Sequence, residues 1–174
     1  SITYNSSVMS IWNDLPKPIV ALAPMEDVTD IAFRQVVEEV APADLYFTEF
    51  MNVDAWGTKG WPSVSRRLDK QVSEKKLIAQ IWGSDLEKFT AVAEELVKLG
   101  FAGIDLNMGC PVKKVVARNQ GGGIIRVPEK ASQIIKAVQA GAGDLPVSVK
   151  TRIGVDKIIT EVWVTHLLQH DLAA

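Results

Sequence analysis

Short apolar runs alternate with stretches of helical periodicity along most of this chain. Pro18 to Ala23 (PIVALA) reads as a buried strand, and a helix is predicted from about Thr29 to Val40. Asp44 to Glu49 predicts a second strand, which leads into a long irregular stretch holding Trp56, Gly57, Gly60, Trp61 and Pro62. Leu77 to Ile81 predicts a third. Ser84-Asp85-Leu86-Glu87 then has capping-box spacing, with a helix running to Leu99 and Gly100 as its stop. Gly103 to Asn107 predicts a fourth strand. A glycine-rich loop follows, and Pro128 suits the first turn of a helix reaching about Ala140. Pro146 to Thr151 is the fifth predicted strand, and a final helix is expected from Asp156 to about Gln169.

Strands alternating with helices imply a parallel sheet covered by helices, which leaves a doubly wound sheet and a (β/α) barrel both open. Strand parity separates them. Val147 and Val149 share one face of the fifth strand, while Ser148, Lys150 and, beyond it, Arg152 share the other. Leu77, Ala79 and Ile81 oppose Ile78 and Gln80; Ile104 and Leu106 oppose Asp105 and Asn107. In three strands the polar residues collect on one parity and toward the carboxyl end, which is what a barrel with its site at that end requires. A barrel of eight units takes about 250 residues. The expectation is therefore an α/β fold of the TIM (β/α)8 type holding only about the first five units, in a chain that starts with Ser and is read as a fragment.

Composition changes this picture little. The chain has 174 residues, 47% hydrophobic, with a net charge of -2, and so can bury a sizeable core. No run of about 18 apolar residues suggests a membrane span, and no basic segment followed by an apolar run suggests a signal peptide. The single cysteine cannot form an internal disulfide, so a reducing, cytoplasmic setting is expected. The sequence pI is about 5.7, which on bulk charge alone argues against an RNA partner. The clusters Lys113-Lys114 with Arg118 and Arg66-Arg67 with Lys70 read first as solvated faces.

Asn107-Met108-Gly109-Cys110-Pro111, directly after the fourth strand, is the most informative stretch. A lone cysteine is usually a small buried hydrophobe. Between Gly109 and Pro111, however, neither neighbour suits an element interior, so the loop sets where the thiol goes. A cysteine thiol is ordinarily protonated near neutral pH, which suits a proton donor better than a nucleophile. No histidine lies near it in sequence.

With Ala23-Pro24-Met25, Thr48-Glu49, Gln80 and Lys150-Thr151-Arg152 at the other strand ends, this loop and Gly121-Gly122-Gly123 after it make the chain resemble the tRNA-dihydrouridine synthases, from about Pro18 onward. The resemblance implies a flavin-binding barrel in which Pro24, Met25, Glu26, Gln80 and Lys150 contact FMN. Glu49, Asn107 and Arg152 would bind the target uridine in tRNA, and Cys110 would be the general acid. NADPH would reduce FMN, hydride would pass to C6 of the uracil, and Cys110 would protonate C5 from the opposite face. The uracil would have to leave its stack to be reached.

Residues 1–174 would then be the N-terminal portion of the catalytic domain. On that resemblance, the family's later elements would lie outside these residues: a histidine after the sixth strand, phosphate-binding loops after strands seven and eight, and a C-terminal helical domain that helps hold tRNA. The chain alone is expected to be inactive. Unpaired edges at its first and fifth strands would invite dimerisation.

Two rival readings stay open: another FMN-barrel oxidoreductase acting on a free pyrimidine, of the dihydroorotate-dehydrogenase kind, and a non-catalytic RNA-binding barrel fragment. His166 and His170, four apart, lack a third ligand, so no metal is expected. Trp82 and Trp163 lie in core-like patterns, whereas Trp56 and Trp61 are candidates for substrate contact. The triple glycine lacks a phosphate-loop lysine and is read as flexibility or close substrate approach.

Overall fold

A computed structural model describes residues 11–174. One sheet holds β1 (Ala21–Leu22), β2 (Leu45–Phe47), β3 (Met51–Asn52), β4 (Leu77–Trp82), β5 (Gly103–Met108) and β6 (Val147–Thr151). Every pairing is parallel. The order β1-β2-β4-β5-β6 follows the chain without reversal, with β3 pairing β4 beyond β2. A doubly wound sheet reverses its strand order at a switch point, whereas a barrel adds each strand to the same growing edge. The fold is a partial (β/α) barrel.

The helices are α1 (Ile11–Asp14), α2 (Ile31–Val40), α3 (Trp61–Val64), α4 (Leu86–Lys98), α5 (Lys113–Val116), α6 (Pro128–Ala142) and α7 (Thr160–Leu167). Phe89, Val92, Ala93 and Leu96 of α4, and Ala131, Ile134, Ile135 and Val138 of α6, recur at helical spacing. They bury against Leu77, Ala79, Ile81, Ile104, Leu106 and Val147 on one face of the sheet. The opposite face carries a second, smaller cluster of Leu45, Phe47 and Ile78 with Leu15, on which Ile11 and Trp12 of α1 pack. The parity read from the sequence is the division between these two faces.

Local chemistry moves several element boundaries. The second strand is interrupted. Phe47 pairs with Ile78 and Met51 with Ile81, so four steps on one strand face three on the other. This is a bulge of one residue. Thr48 repairs the ladder there: its N–H donates to Ile78 O (3.0 Å), and its Oγ1 accepts from the Gln80 N–H (3.0 Å). The extra residue reverses the parity, so Tyr46 and Met51 both enter the helix-side core.

Asp85, not Ser84, caps α4, accepting from the Lys88 N–H (3.2 Å). Ser84 donates instead to Asp54 Oδ2 (2.9 Å), and Asp54 Oδ1 also takes the N–H groups of Ser84 and Asp85. Gly100 does end that helix, at φ +68°. Pro128 opens α6 as expected.

The final helix is shorter than its sequence suggests. Residues 153–159 form a loop closed by a bridge between Gly154 and Ile158, and Arg126 clips that loop through Asp156 (2.7 and 2.9 Å). The outer edge of β6 is partly met by the last two residues: Ala173 N–H donates to Val147 O and Val149 N–H to Ala174 O. Among the described residues no helix is long and apolar enough to cross a membrane.

Candidate active site at the carboxyl ends of the strands

The polar parity positions noted in the sequence converge into one hydrogen-bonded line. Ser148 Oγ donates to Asp105 Oδ1 (2.6 Å), and Gln80 Nε2 donates to Asp105 Oδ2 (2.6 Å). Asn107 Nδ2 donates to Gln80 Oε1 (3.1 Å). Asn107 Oδ1 then accepts from the backbone N–H groups of Gly109 and Cys110 (3.1 Å each). The register explains the line: Gln80 pairs with Asp105, Asp105 with Ser148, and Asn107 with Lys150, so neighbouring strands present these side chains side by side.

Asp105 and Ser148 are 2% exposed and Gln80 is fully buried. Burial pushes the Asp105 carboxyl up to about 6, against the opposing pull of the Ser148 and Gln80 hydrogen bonds and of the Lys150 charge. Asp105, Ser148 and Thr48 thus belong to the site's foundation. Parity flagged Asp105 and Ser148 as polar, but nothing local in the sequence shows which strand neighbours they meet.

Cys110 is half-buried and unpaired. Its carbonyl accepts from the Gly122 N–H (3.0 Å). Gly121 has φ +51°, and a Cβ there would lie 2.8 Å from the Cys110 Cβ. Gly121 and Gly122 therefore serve close approach of the 121–126 turn to the Cys110 loop, while Gly123 lets the same turn lie against Val116. Arg152 lies across the same loop, with its Nε donating to Gly109 O (2.5 Å). Lys150 and Arg152 are exposed at the end of β6, and Lys113, Lys114 and Arg118 are exposed just beyond Cys110.

At the β1 end Pro24 is buried and Met25 exposed. The Met25 N–H and carbonyl are held by Thr29 Oγ1 (3.0 and 3.1 Å). Glu26 pairs with Arg67, a residue the sequence suggested only as part of a solvated basic face. Glu26 Oε2 is buried without a partner. Glu49 is 8% exposed, and its Oε1 accepts from the Asp27 N–H (2.7 Å). The carboxylates of Glu26, Asp27 and Glu49 lie within 4.8 Å of one another, a grouping capable of holding a cation.

Two other pairs singled out in the sequence make contacts of their own. Trp56 and Trp61 meet edge to face at 4.6 Å and pack against the helix-side core. His166 and His170 share Ser132, whose Oγ lies 2.9 Å from each Nε2, and so fasten the C-terminal segment to α6.

Residues 21–168 match the family model described as dihydrouridine synthase. A probable tRNA-dihydrouridine synthase of Staphylococcus aureus (strain COL) is 46% identical over 166 residues, covering 94% of this chain and 50% of the relative. Probable tRNA-dihydrouridine synthase 2 of Bacillus subtilis (strain 168) is 43% identical over the same length and shares. The chain thus spans about half the length of the curated relatives it matches.

Proposed function

The chain belongs to the dihydrouridine synthase family, and from that premise we propose that it forms part of an enzyme reducing particular uridines in tRNA to 5,6-dihydrouridine, with Cys110 as proton donor. The observation that carries this reading is the seating of Cys110. Its loop is held by Asn107 and packed against Gly121 and Gly122 at the carboxyl end of β5, with exposed cations around it. A thiol fixed in this way at a barrel mouth supports a proton-delivering role over a space-filling one.

FMN fits the groups present. Lys150 offers an exposed cation, Met25 an exposed apolar side chain and Glu26 a carboxylate oxygen with no partner, while Gln80, fully buried with both ends of its amide engaged, would act from beneath through Asn107. When bound and reduced by NADPH, FMN would supply the hydride for C6 of the uracil. Lys150 would favour negative charge on the cofactor's polar edge. Glu49, anchored by the Asp27 N–H, would accept a uracil N–H. Asn107 would fix the ring's height above the sheet. Arg152, with Nε spent on Gly109, would turn its remaining nitrogens to a carbonyl or a phosphate. Cys110 would hold its proton for C5. Lys113, Lys114 and Arg118 would meet the phosphate backbone beside the target, and the unpaired thiol fits a cytoplasmic setting.

The test measures dihydrouridine in unmodified tRNA incubated with FMN and NADPH. One sample is the chain alone; the other is the chain completed by the second half of its Staphylococcus aureus relative. The chimera is expected to be active, and Cys110→Ala in it to lower the rate by about 10²- to 10⁴-fold. An undiminished Cys110→Ala rate would remove the proton-donor role. Reduction of free uracil in preference to tRNA would instead favour the free-pyrimidine reading.

A further inference from the structure

Four side chains, Ser148, Asp105, Gln80 and Asn107, run in an unbroken line from inside the sheet to the loop that carries Cys110. Two of them are amides, and an amide can turn either its oxygen or its NH2 toward a neighbour. An ionised carboxylate can only accept. Both Asp105 oxygens are engaged by donors, Ser148 Oγ on one and Gln80 Nε2 on the other. Gln80 must therefore present its NH2 inward, which turns its oxygen to Asn107. Asn107 in turn gives its NH2 to Gln80 and keeps its oxygen for the N–H groups of Gly109 and Cys110. Reversing the two amides would set an oxygen against the carboxylate at one end and an NH2 against two backbone N–H groups at the other. Buried polar groups left in that way are costly.

We propose that Asp105 is a positioning residue for the Cys110 loop, dictating the direction of the Gln80 and Asn107 amides so that Asn107 meets the loop with its oxygen. The inference deepens the reading above and rests on it only for what Cys110 does once held. Ser148 buffers the far oxygen but does not stand between Asp105 and the loop. What passes along the line is the sense of the hydrogen bonds, so an acceptor at position 105 suffices. Asn at 105 would keep that sense: its oxygen accepts from Gln80, and its NH2 donates to Ser148 Oγ, which can accept.

The chain has a single cysteine, so its alkylation rate by iodoacetamide at fixed pH under native conditions reports on this loop alone. Asp105→Ala and Gln80→Met, which break the line, are expected to raise that rate severalfold. Asp105→Asn is expected to restore the wild-type rate. Ser148→Ala is expected to alkylate at the wild-type rate even if its unfolding midpoint falls.

Equal acceleration in Asp105→Asn and Asp105→Ala would overturn the proposal, because charge and not direction would then matter. Acceleration in Ser148→Ala would also overturn it, as a general loosening of the core. So would a wild-type rate in Gln80→Met, which decides the matter alone if Asp105→Ala does not fold. The expected alkylation pattern in a protein that reduces no uridine would support the positioning role while sinking the catalytic reading.

Discussion

Asp105 combines burial with charge, and its pH behaviour follows from that. A carboxyl raised from 3.8 to about 6 holds its proton more tightly in the folded chain. The associated stabilisation is full below the ordinary carboxylate value and is lost as pH rises through about 6. We expect the urea midpoint of the wild-type chain, compared with that of Asp105→Asn, to fall across that window. A difference independent of pH would mean that Asp105 titrates at its ordinary value. Gln80, Asn107 and Cys110 are legible as site candidates from their places at strand ends. Asp105 shows only its parity, because what makes it matter is the pairing of β4 with β5 and of β5 with β6.

Among the elements, α4 shows how local signals share out their roles. Ser84 and Glu87 have capping-box spacing, yet the cap is Asp85 and Ser84 is drawn to Asp54 from a distant segment. Asp54 binds three donors at the start of α4, and its carbonyl accepts from Lys88 Nζ (2.7 Å). Asp85→Ala is expected to cost about 1 kcal/mol. Asp54→Ala should cost more, about 2–3 kcal/mol, because it strands several donors at once. Urea unfolding of the two variants checks the order, and equal losses would count against Asp54 as the organiser. The same limit governs the second strand. Asp44 to Glu49 reads as one run, but the bulge at Thr48 is repaired across the sheet by Gln80, which local alternation does not show.

Over the whole molecule, the helices that cover the sheet are held differently. Helices α4 and α6 are held by an apolar core, on which α2 packs only through half-buried Val37. By contrast, α2 buries a single residue, Arg34. Its guanidinium donates to Thr29 O, Asp69 O and both oxygens of Glu74, tying α2 to the segment before β4. Arg34 is 1% exposed, so removing it leaves Glu74 Oε1 and two carbonyls without their donor, with only the Gln71 N–H still on Glu74 Oε2. Arg34→Met is expected to cost about 3–5 kcal/mol, read as a loss in unfolding free energy. A loss under about 1 kcal/mol would show that α2 is held by its apolar contacts after all.

By itself the sequence determined the succession of strands and helices, the parity that separates core from site, and the strand-end motifs by which the chain resembles its family. Those properties depend on spacing along the chain, and spacing is written in it. Only the tertiary structure decided that the strand order does not reverse and that Ser148, Asp105, Gln80 and Asn107 form one line. Those facts rest on register between strands 25 to 43 residues apart, and a hydrogen bond across that distance has no local pattern to announce it.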